Sequence, residues 1–436
     1  MTSYRCTTCE YTTARWMGFC PQCRTTGTLS EQTTHSTDTL PIAITEVAPA
    51  AGGQRLATGI DEFDRVLGGG IVAGSVTLVA GEPGVGKSTL VLEVAAALGG
   101  TALIVSGEES LNQIRMRADR IGALVEHVSI AAERDVTAIL AMIESGRFDL
   151  VVVDSIQTVT VPAQVGGTGG PAQVREAAAR LISGAKDSET AVVLTGHVTK
   201  DGSIAGPKLL EHMVDVVITI EGDPHRGLRF LRCVKNRHGS VDEVGIFEML
   251  PDGLRAVADP SATLIAGRDA AAPGSVLFPT IDGLRSLVVE VQALVVPSAA
   301  AQPRRSVKGL PAARVHQILA ALERHADLPL GRHDVYVSAM GGLQLSEPAA
   351  DLAVALAVAS AASGVAITDV AAWGEVGLTG ELRGVPHRQR RRAEVVRLGV
   401  GGIIDGSTYP HLLDALVEAG LAAATIRPDR TAGTAH

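Results

Sequence analysis

"LGGGIVAGSVTLVAGEPGVGKSTLVLEVAAAL", residues 67–98, changes character three times. A glycine-rich turn gives way to an apolar run at 75–80, a glycine loop follows, and from Lys87 onward apolar residues recur at helical spacing. The loop Gly81-Glu82-Pro83-Gly84-Val85-Gly86-Lys87-Ser88, continued by Thr89, fits G-x-x-x-x-G-K-[ST] in the strand–loop–helix context that gives the motif its meaning. Its glycines let successive backbone N–H groups wrap phosphates at a helix N-terminus. Lys87 then reaches the β and γ oxygens of ATP, and Ser88 ligates Mg2+.

Three further apolar runs end in polar residues. "TALIVSGEES" (101–110) leads to Glu108 and Glu109, "FDLVVVDSIQT" (148–158) contains Asp154, and "TAVVLTGHV" (190–198) contains His197. Unbroken runs such as "LVVVD" suit parallel strands covered on both faces. A carboxylate at the C-terminal tip of such a strand lies in the crevice where open α/β sheets bind ligands. Asp154 is therefore read as the Mg2+-water ligand. Glu108 is read as the group that orients and deprotonates the attacking water, with Glu109 as the alternative. His197 either senses the γ-phosphate or is an ordinary strand-end histidine.

Four of the five cysteines lie in the first 23 residues, as Cys6-x2-Cys9, ten residues, then Cys20-x2-Cys23. Each pair forms a knuckle that aims two thiolates at one point, and two knuckles complete a tetrahedral zinc site. The competing readings are disulfides, disfavoured in a reduced cytoplasm, and a redox pair, which needs no second knuckle. A ribbon this small has almost no apolar core, so Zn2+ must supply its folding energy. Cys233, inside an apolar run, reads as a packed core thiol. Residues 31–54, rich in Thr, Ala and Ser without periodicity, read as a linker.

The N-terminus is polar and carries no apolar signal region, so a cytoplasmic location is expected. The run "LAVALAVASAASGVAI" (352–367), preceded by Asp351, reads as a buried core helix and not as a membrane span. The 436 residues leave room for two or three domains. A net charge of −9 excludes a global basic field, so any nucleic acid must meet a local patch or a cation-lined pore. In "CVKNRHGS" (233–240), Lys235 and Arg237 flank Asn236. Taken alone they are a solvated strand end, but cations at i and i+2 on a strand point to one side.

In order, the four-cysteine ribbon, "GEPGVGKST" (81–89), "VSGEES" (105–110), "VVVDSIQT" (151–158), "GHVTKDGSIAGPKLLEHMVD" (196–215) and "KNRHG" (235–239) resemble the bacterial RadA (Sms) family of DNA repair proteins over essentially the whole chain. The family usually carries Phe where this chain has His238. The resemblance implies a RecA-like ATPase motor that forms a homo-hexameric ring. It implies movement along single-stranded and branched DNA, branch migration in homologous recombination, and work beside a RecA-type recombinase. It also implies that Lys235 and Arg237 face the nucleotide of the next protomer. Glycine-rich loops at 160–176 and 199–212 leave the same sheet edge, where Arg175, Lys200 and Lys208 would contact DNA phosphates. Aromatic residues are 3% of the chain, so backbone tracking should dominate over base stacking.

Beyond residue 270 the pattern, with two strand-like runs in 271–297, a helix near 311–325 and "HDVYVSAMGGLQL" (333–345), resembles the substrate domain of the Lon protease. That fold uses a Ser-Lys dyad. In "SEPAADLAVAL" (346–356) Ala349 takes the nucleophile position, and the lysine position falls near Arg388. Arginine stays protonated and cannot serve as a general base, so proteolysis is not expected. His387, Arg388, Arg390, Arg391 and Arg392 form either a solvated face or a phosphate-binding surface. The expected architecture is α/β: a C4 zinc ribbon (1–30), a linker (31–54), a RecA-like P-loop ATPase core (55–265) and an α+β Lon-protease-like domain (270–436). The functional readings are a DNA-dependent ATPase of the helicase type, an ATP-dependent protease, and a nucleotide-switched adaptor that does not translocate.

Overall fold

Strand β1 (Thr2–Cys6) pairs antiparallel with β2 (Thr12–Thr13) and β3 (Leu29–Thr33), and the turns beyond them carry the cysteines. This ribbon belongs to the first of two units, Met1–Ala51 and Gly52–His436. The computed structural model describes residues 2–9, 11–13, 15–33, 43, 45, 55–162, 167, 169–197, 207–222 and 227–421. Lys200 lies outside them, as does the side chain of Lys208.

The second unit opens with β4 (Arg55–Leu56), α1 (Asp61–Leu67) and β5 (Ile71–Val72), which frame the glycine-rich turn. Then come β6 (Val76–Gly81), α2 (Lys87–Ala97), β7 (Ala102–Ser106), α3 (Leu111–Arg120), β8 (Val128–Ala132), α4 (Val136–Glu144), β9 (Leu150–Asp154), α5 (Pro171–Ser188) and β10 (Ala191–His197). After α6 (Pro207–Glu211) and β11 (Val216–Gly222) the chain turns antiparallel, through β12 (Leu228–Asn236), β13 (Val244–Leu250) and β14 (Gly253–Ala256). Among the described residues these strands form one sheet, in the order β14-β13-β12-β11-β6-β10-β9-β7-β8, parallel from β11 to β8.

Side chains alternate across this sheet, and both faces are covered. Leu78, Val151, Val153 and Val192 pack under α4 and α5, while Val79, Val152 and Val193 pack under α1 to α3. Each such buried aliphatic side chain contributes about 1.5–3 kcal/mol relative to exposure. Register then sets the site. Gly81 lies beside His197, and Ser106 beside Asp154, so the tips of β6, β10, β9 and β7 share one edge.

Helix α2 carries one costly residue, Glu93. Leu254 N donates to its Oε1 at 2.8 Å, and its Oε2 is buried with no partner among the described residues. Burial pushes this carboxyl up to about 7, opposed by the Leu254 N–H and assisted by Asp252. A raised folded-state pKa means stabilisation present at low pH and lost as pH climbs through about 7. Glu93→Gln should therefore melt like the parent at pH 5 and above it at pH 8; equal melting points at pH 8 would refute the assignment.

The C-terminal domain follows α7 (Pro260–Ile265). Its strands are β15 (Ser275–Asp282), β16 (Arg285–Pro297), β17 (Arg305–Lys308), β18 (His333–Ala339), β19 (Val370–Trp373), β20 (Glu375–Val376), β21 (Leu382–Arg383) and β22 (Gly402–Asp405). Its helices are α8 (Ala312–His325), α9 (Asp351–Ser363), α10 (Arg388–Arg397) and α11 (Leu412–Glu418). The main sheet runs β17-β18-β16-β15-β19-β22, and α9 is buried against it from Asp351 to Ser360. No helix among the described residues is long and apolar enough to cross a membrane. The domain shares its core with the ATPase sheet: Phe230, Val244 and Ile246 of β12 and β13 cluster with Val276, Phe278 and Val288.

One sequence expectation fails here. Arg391, read as a DNA contact, is 1% exposed. Its guanidinium donates to Pro279 O, pairs with Glu347 and lies 5.8 Å over the Phe278 ring. It sits on the inward side of α10 with Val395, four residues on, and Glu347 immediately precedes Pro348 and Ala349. The basic position facing that stretch is thus Arg391, and not Arg388, which pairs with Asp405. Arg391→Ala leaves Glu347 without its cation and should destabilise the protein by on the order of 3 kcal/mol in a denaturant melt. A change within experimental scatter would refute this role.

Candidate functional site

The loop 81–88 closes over the N-terminus of α2. Gly84 and Gly86 take φ of +77° and +114°, a region that side chains rarely adopt, and at Gly86 a Cβ would also collide with Met249 at 2.5 Å. Lys87 is 4% exposed, and its Nζ donates to Gly81 O and Glu82 O, both at 3.0 Å. Burial pushes its pKa down, while Asp154 and then Glu108 pull it up. Ser88 and Thr89 start the helix, and Val85 O accepts from Arg229 Nε at 3.0 Å.

Opposite the loop stand the carboxylates. Thr195 Oγ1 donates to Asp154 Oδ1 at 2.5 Å, and Ser155 Oγ donates to Glu108 Oε1 at 2.8 Å. Glu108 lies in the turn beyond β7, because Ser106 Oγ accepts from the N–H groups of Glu108 and Glu109. A Ser110–Gln113 capping box then starts α3. Glu109 is drawn away into an ion pair with Arg117, whereas the Glu108 side chain is 50% exposed toward the site. The geometry favours Glu108 over Glu109. His197 Nε2 is 3.9 Å from Glu108 Oε1, and its Nδ1 is buried without a partner among the described residues. Burial, and then the Lys87 charge, lower its pKa, while Glu108 and Asp154 pull it up.

Lys235 and Arg237 are not part of this cluster. Antiparallel pairing sets Asn236 opposite Val216, and Val216 lies beside Thr77 at the start of β6, while the phosphate loop leaves its far end at Gly81. The four intervening strand steps span roughly 13 Å. Lys235 Nζ donates to Glu211 O and Val214 O, both at 2.7 Å, capping the end of α6. Arg237 meets Asp215 Oδ1 at 3.3 Å, and half of its side chain is exposed. Arg55 Nη2 donates to His238 O at 2.7 Å, so only the backbone of His238 is used and its ring is exposed.

Thr195, Ser155, Asp215 and Arg55 were not singled out from sequence. Thr195 alone had a signal, since it sits two residues before His197 and so on the same face of the strand. Of the expected DNA contacts, Arg175 lies on α5, not in a loop, and is exposed. Arg390 and Arg392 are exposed on α10, with Arg390 Nη1 donating to Leu284 O at 3.2 Å.

In the ribbon, Cys6, Cys9, Cys20 and Cys23 bring four sulfurs within 4.8 Å of one another. The Cys6–Cys23 and Cys9–Cys20 sulfurs are 3.6 and 3.5 Å apart, close to the edge of about 3.8 Å in a tetrahedron of zinc–sulfur bonds of about 2.3 Å. Thr28 Oγ1, 3.3 Å from Cys6, and the Thr8 N–H hold that thiol down to about 5 against the cost of burial. The donor set fits zinc. Replacing Cys6 and Cys9 with Ala should release about one zinc per chain by elemental analysis. A metal-free parent protein in reductant would refute it.

Comparison with known proteins matches the phosphate-loop region and the ribbon to known families. The KaiC ATPase family matches residues 56–133, and a rubredoxin metal binding domain matches residues 4–31. The chain is 48% identical to the DNA repair protein RadA of Mycobacterium tuberculosis over 416 residues, covering 91% of this chain and 86% of that one. It is 46% identical to that of Mycolicibacterium smegmatis over 418 residues (91% and 89%), and 40% identical to that of Bacillus subtilis over 443 residues (96% of each). With a RecA-like ATPase core, a four-cysteine ribbon and likeness along nearly its whole length, the chain belongs to the RadA family of DNA repair proteins.

Proposed function

We propose that this protein is a DNA-dependent ATPase of the helicase type, which moves along single-stranded DNA as a homo-hexamer in the cytoplasm and drives branch migration beside a RecA-type recombinase. The observation that carries the reading is the split between the two sheet edges. ATP and Mg2+ would lie at one edge, with Lys87 on the β and γ oxygens, Ser88 and Asp154 on the metal and Glu108 on the attacking water. Arg237 sits at the other edge, out of reach of its own nucleotide. A ring in which each subunit offers Arg237 to its neighbour completes the site and makes hydrolysis depend on how subunits meet.

DNA phosphates would pass the loops that follow β9 and β10, near Arg175, Lys200 and Lys208, and would meet Arg388, Arg390 and Arg392 on the C-terminal domain. We assign the ribbon (1–30), the ATPase core (55–265) and the C-terminal domain (270–436) to zinc, hydrolysis and DNA guidance. The test is ATP turnover with and without single-stranded DNA, together with strand displacement on a forked substrate. Stimulated turnover with displacement supports the motor. Stimulation without displacement favours an ATP-switched adaptor, and turnover indifferent to DNA removes both. Replacing Arg390 and Arg392 with Ala should reduce the salt slope of single-strand binding by about 1.4, at about 0.7 per phosphate contact. An unchanged slope returns them to a solvated face.

A further inference from the structure

The segment that carries Arg237 is held by hydrogen bonds and not by packing. Residues 237–243 form no helix or strand, residues 237 to 242 are exposed, and Val241, the one aliphatic side chain among them, faces solvent. Its start is held by the ATPase core, where Arg237 N donates to Asp215 O at 3.1 Å and Arg55 Nη2 to His238 O at 2.7 Å, and its end is met by the C-terminal domain. The turn Asp282–Arg285, between β15 and β16, meets the β12–β13 hairpin at three points, of which the second is on the segment itself: Asp282 pairs with Arg232 on β12, Leu284 N donates to Asp242 O at 2.6 Å, and Arg285 Nη1 donates to Val244 O on β13 at 3.0 Å while pairing with buried Glu62.

The fit at the middle point is tight. Gly283 takes φ of +61°, and a Cβ there would stand 1.9 Å from Asp242 O. Domain adhesion does not require this, since Phe230, Val244 and Ile246 already join the two cores. Ion pairs away from bulk water add little net stability, but they orient what they join, and of the two here Arg285–Glu62 is the more buried. These two pairs, Arg232–Asp282 and Arg285–Glu62, flank the segment on both sides.

We propose that the Asp282–Arg285 turn is a positioning element for Arg237, holding residues 237–243 where the guanidinium can reach a neighbouring subunit's phosphates. This rests on the trans reading given above. The turn touches no nucleotide and acts only through the segment it braces. It makes the C-terminal domain part of the hydrolytic machinery, so that the domain's own movements reach the neighbour's ATP through Asp242.

The test is full-length Gly283→Ala, whose methyl must push Asp242 aside. Misplacing the finger by about 1 Å should lower kcat on the order of 10²-fold and leave KM for ATP nearly unchanged. Because this variant keeps its phosphate loop, mixing it with Lys87→Ala protein should restore turnover, and mixing it with Arg237→Ala should not. A merely structural defect would not sort into that complementation group. If Gly283→Ala does not assemble, Asp282→Asn/Arg285→Gln removes both ion pairs while Glu62 keeps its contact with Arg65, and is read the same way. Turnover like the parent's, or rescue by Arg237→Ala instead of Lys87→Ala, overturns the proposal. The control mixture of Lys87→Ala with Arg237→Ala tells the two failures apart. If it recovers while Gly283→Ala behaves like the parent, the brace alone is wrong; if it stays inactive in mixed rings, the trans reading falls and the brace with it.

Discussion

Lys87→Ala protein should hydrolyse ATP more slowly than the parent by on the order of 10²- to 10³-fold, with its thermal unfolding almost unmoved. The rate falls because, with ATP bound as proposed above, this ammonium is the cation that the loop would bring to the β and γ oxygens. Charge developing there in the transition state would lose its nearest compensation. Stability holds because two effects oppose each other. Truncation removes the hydrogen bonds to Gly81 O and Glu82 O, but it also removes a charge whose burial already depresses its pKa. Phosphate release and a melting curve on the same sample check both halves. Turnover near the parent's would end the phosphate-loop assignment, and a lost melting transition would show that Lys87 holds the fold.

How much of this was legible in the chain depended on how local the chemistry is. The phosphate loop is backbone geometry written into eight consecutive residues, so the motif gave both the loop and the strand and helix that flank it. Asp154 could be read because an unbroken apolar run ending in a carboxylate is costly anywhere but at a strand tip. The choice between Glu108 and Glu109 could not, because it turns on Arg117 coming round α3 to take Glu109. Arg391 was misread for the opposite reason. Four arginines in five positions look like one charged face, yet a helix turns about 100° per residue and carries Arg391 inward with Val395. That spacing was present in the sequence. Glu347, 44 residues earlier, is what makes the burial affordable, and no local pattern links the two. Lys235 and Arg237 were read as a pair on one side of a strand, but β12 ends at Asn236, and their separate engagements, with the end of α6 and with Asp215, come from strand order alone.

Arg237→Ala protein should bind ATP nearly as the parent does and lose on the order of 10³-fold or more in turnover, as expected for a finger supplied across a subunit border. Binding survives because the register puts Arg237 at the opposite sheet edge from its own phosphate loop, so no contact with its own nucleotide is lost. The guanidinium is half exposed and meets buried Asp215 at 3.3 Å, a single side-chain contact that it can exchange for a phosphate. Lys235 is placed differently. Its ammonium must leave two backbone carbonyls at 2.7 Å before it can reach any phosphate, so Lys235→Ala should lose turnover while also loosening the end of α6. Both should melt below the parent, Arg237→Ala because buried Asp215 loses its cation and Lys235→Ala because the end of α6 loosens, so turnover is compared at a temperature where each variant is folded. The decisive measurement is a mixture. Arg237→Ala supplies intact phosphate loops and Lys87→Ala supplies intact fingers, so rings containing both have some borders with every part in place, and turnover should reappear although each component alone is inactive. If mixed rings form and remain inactive, Arg237 acts within its own subunit or on DNA, and the separation between the two sheet edges must be closed by movement inside one chain.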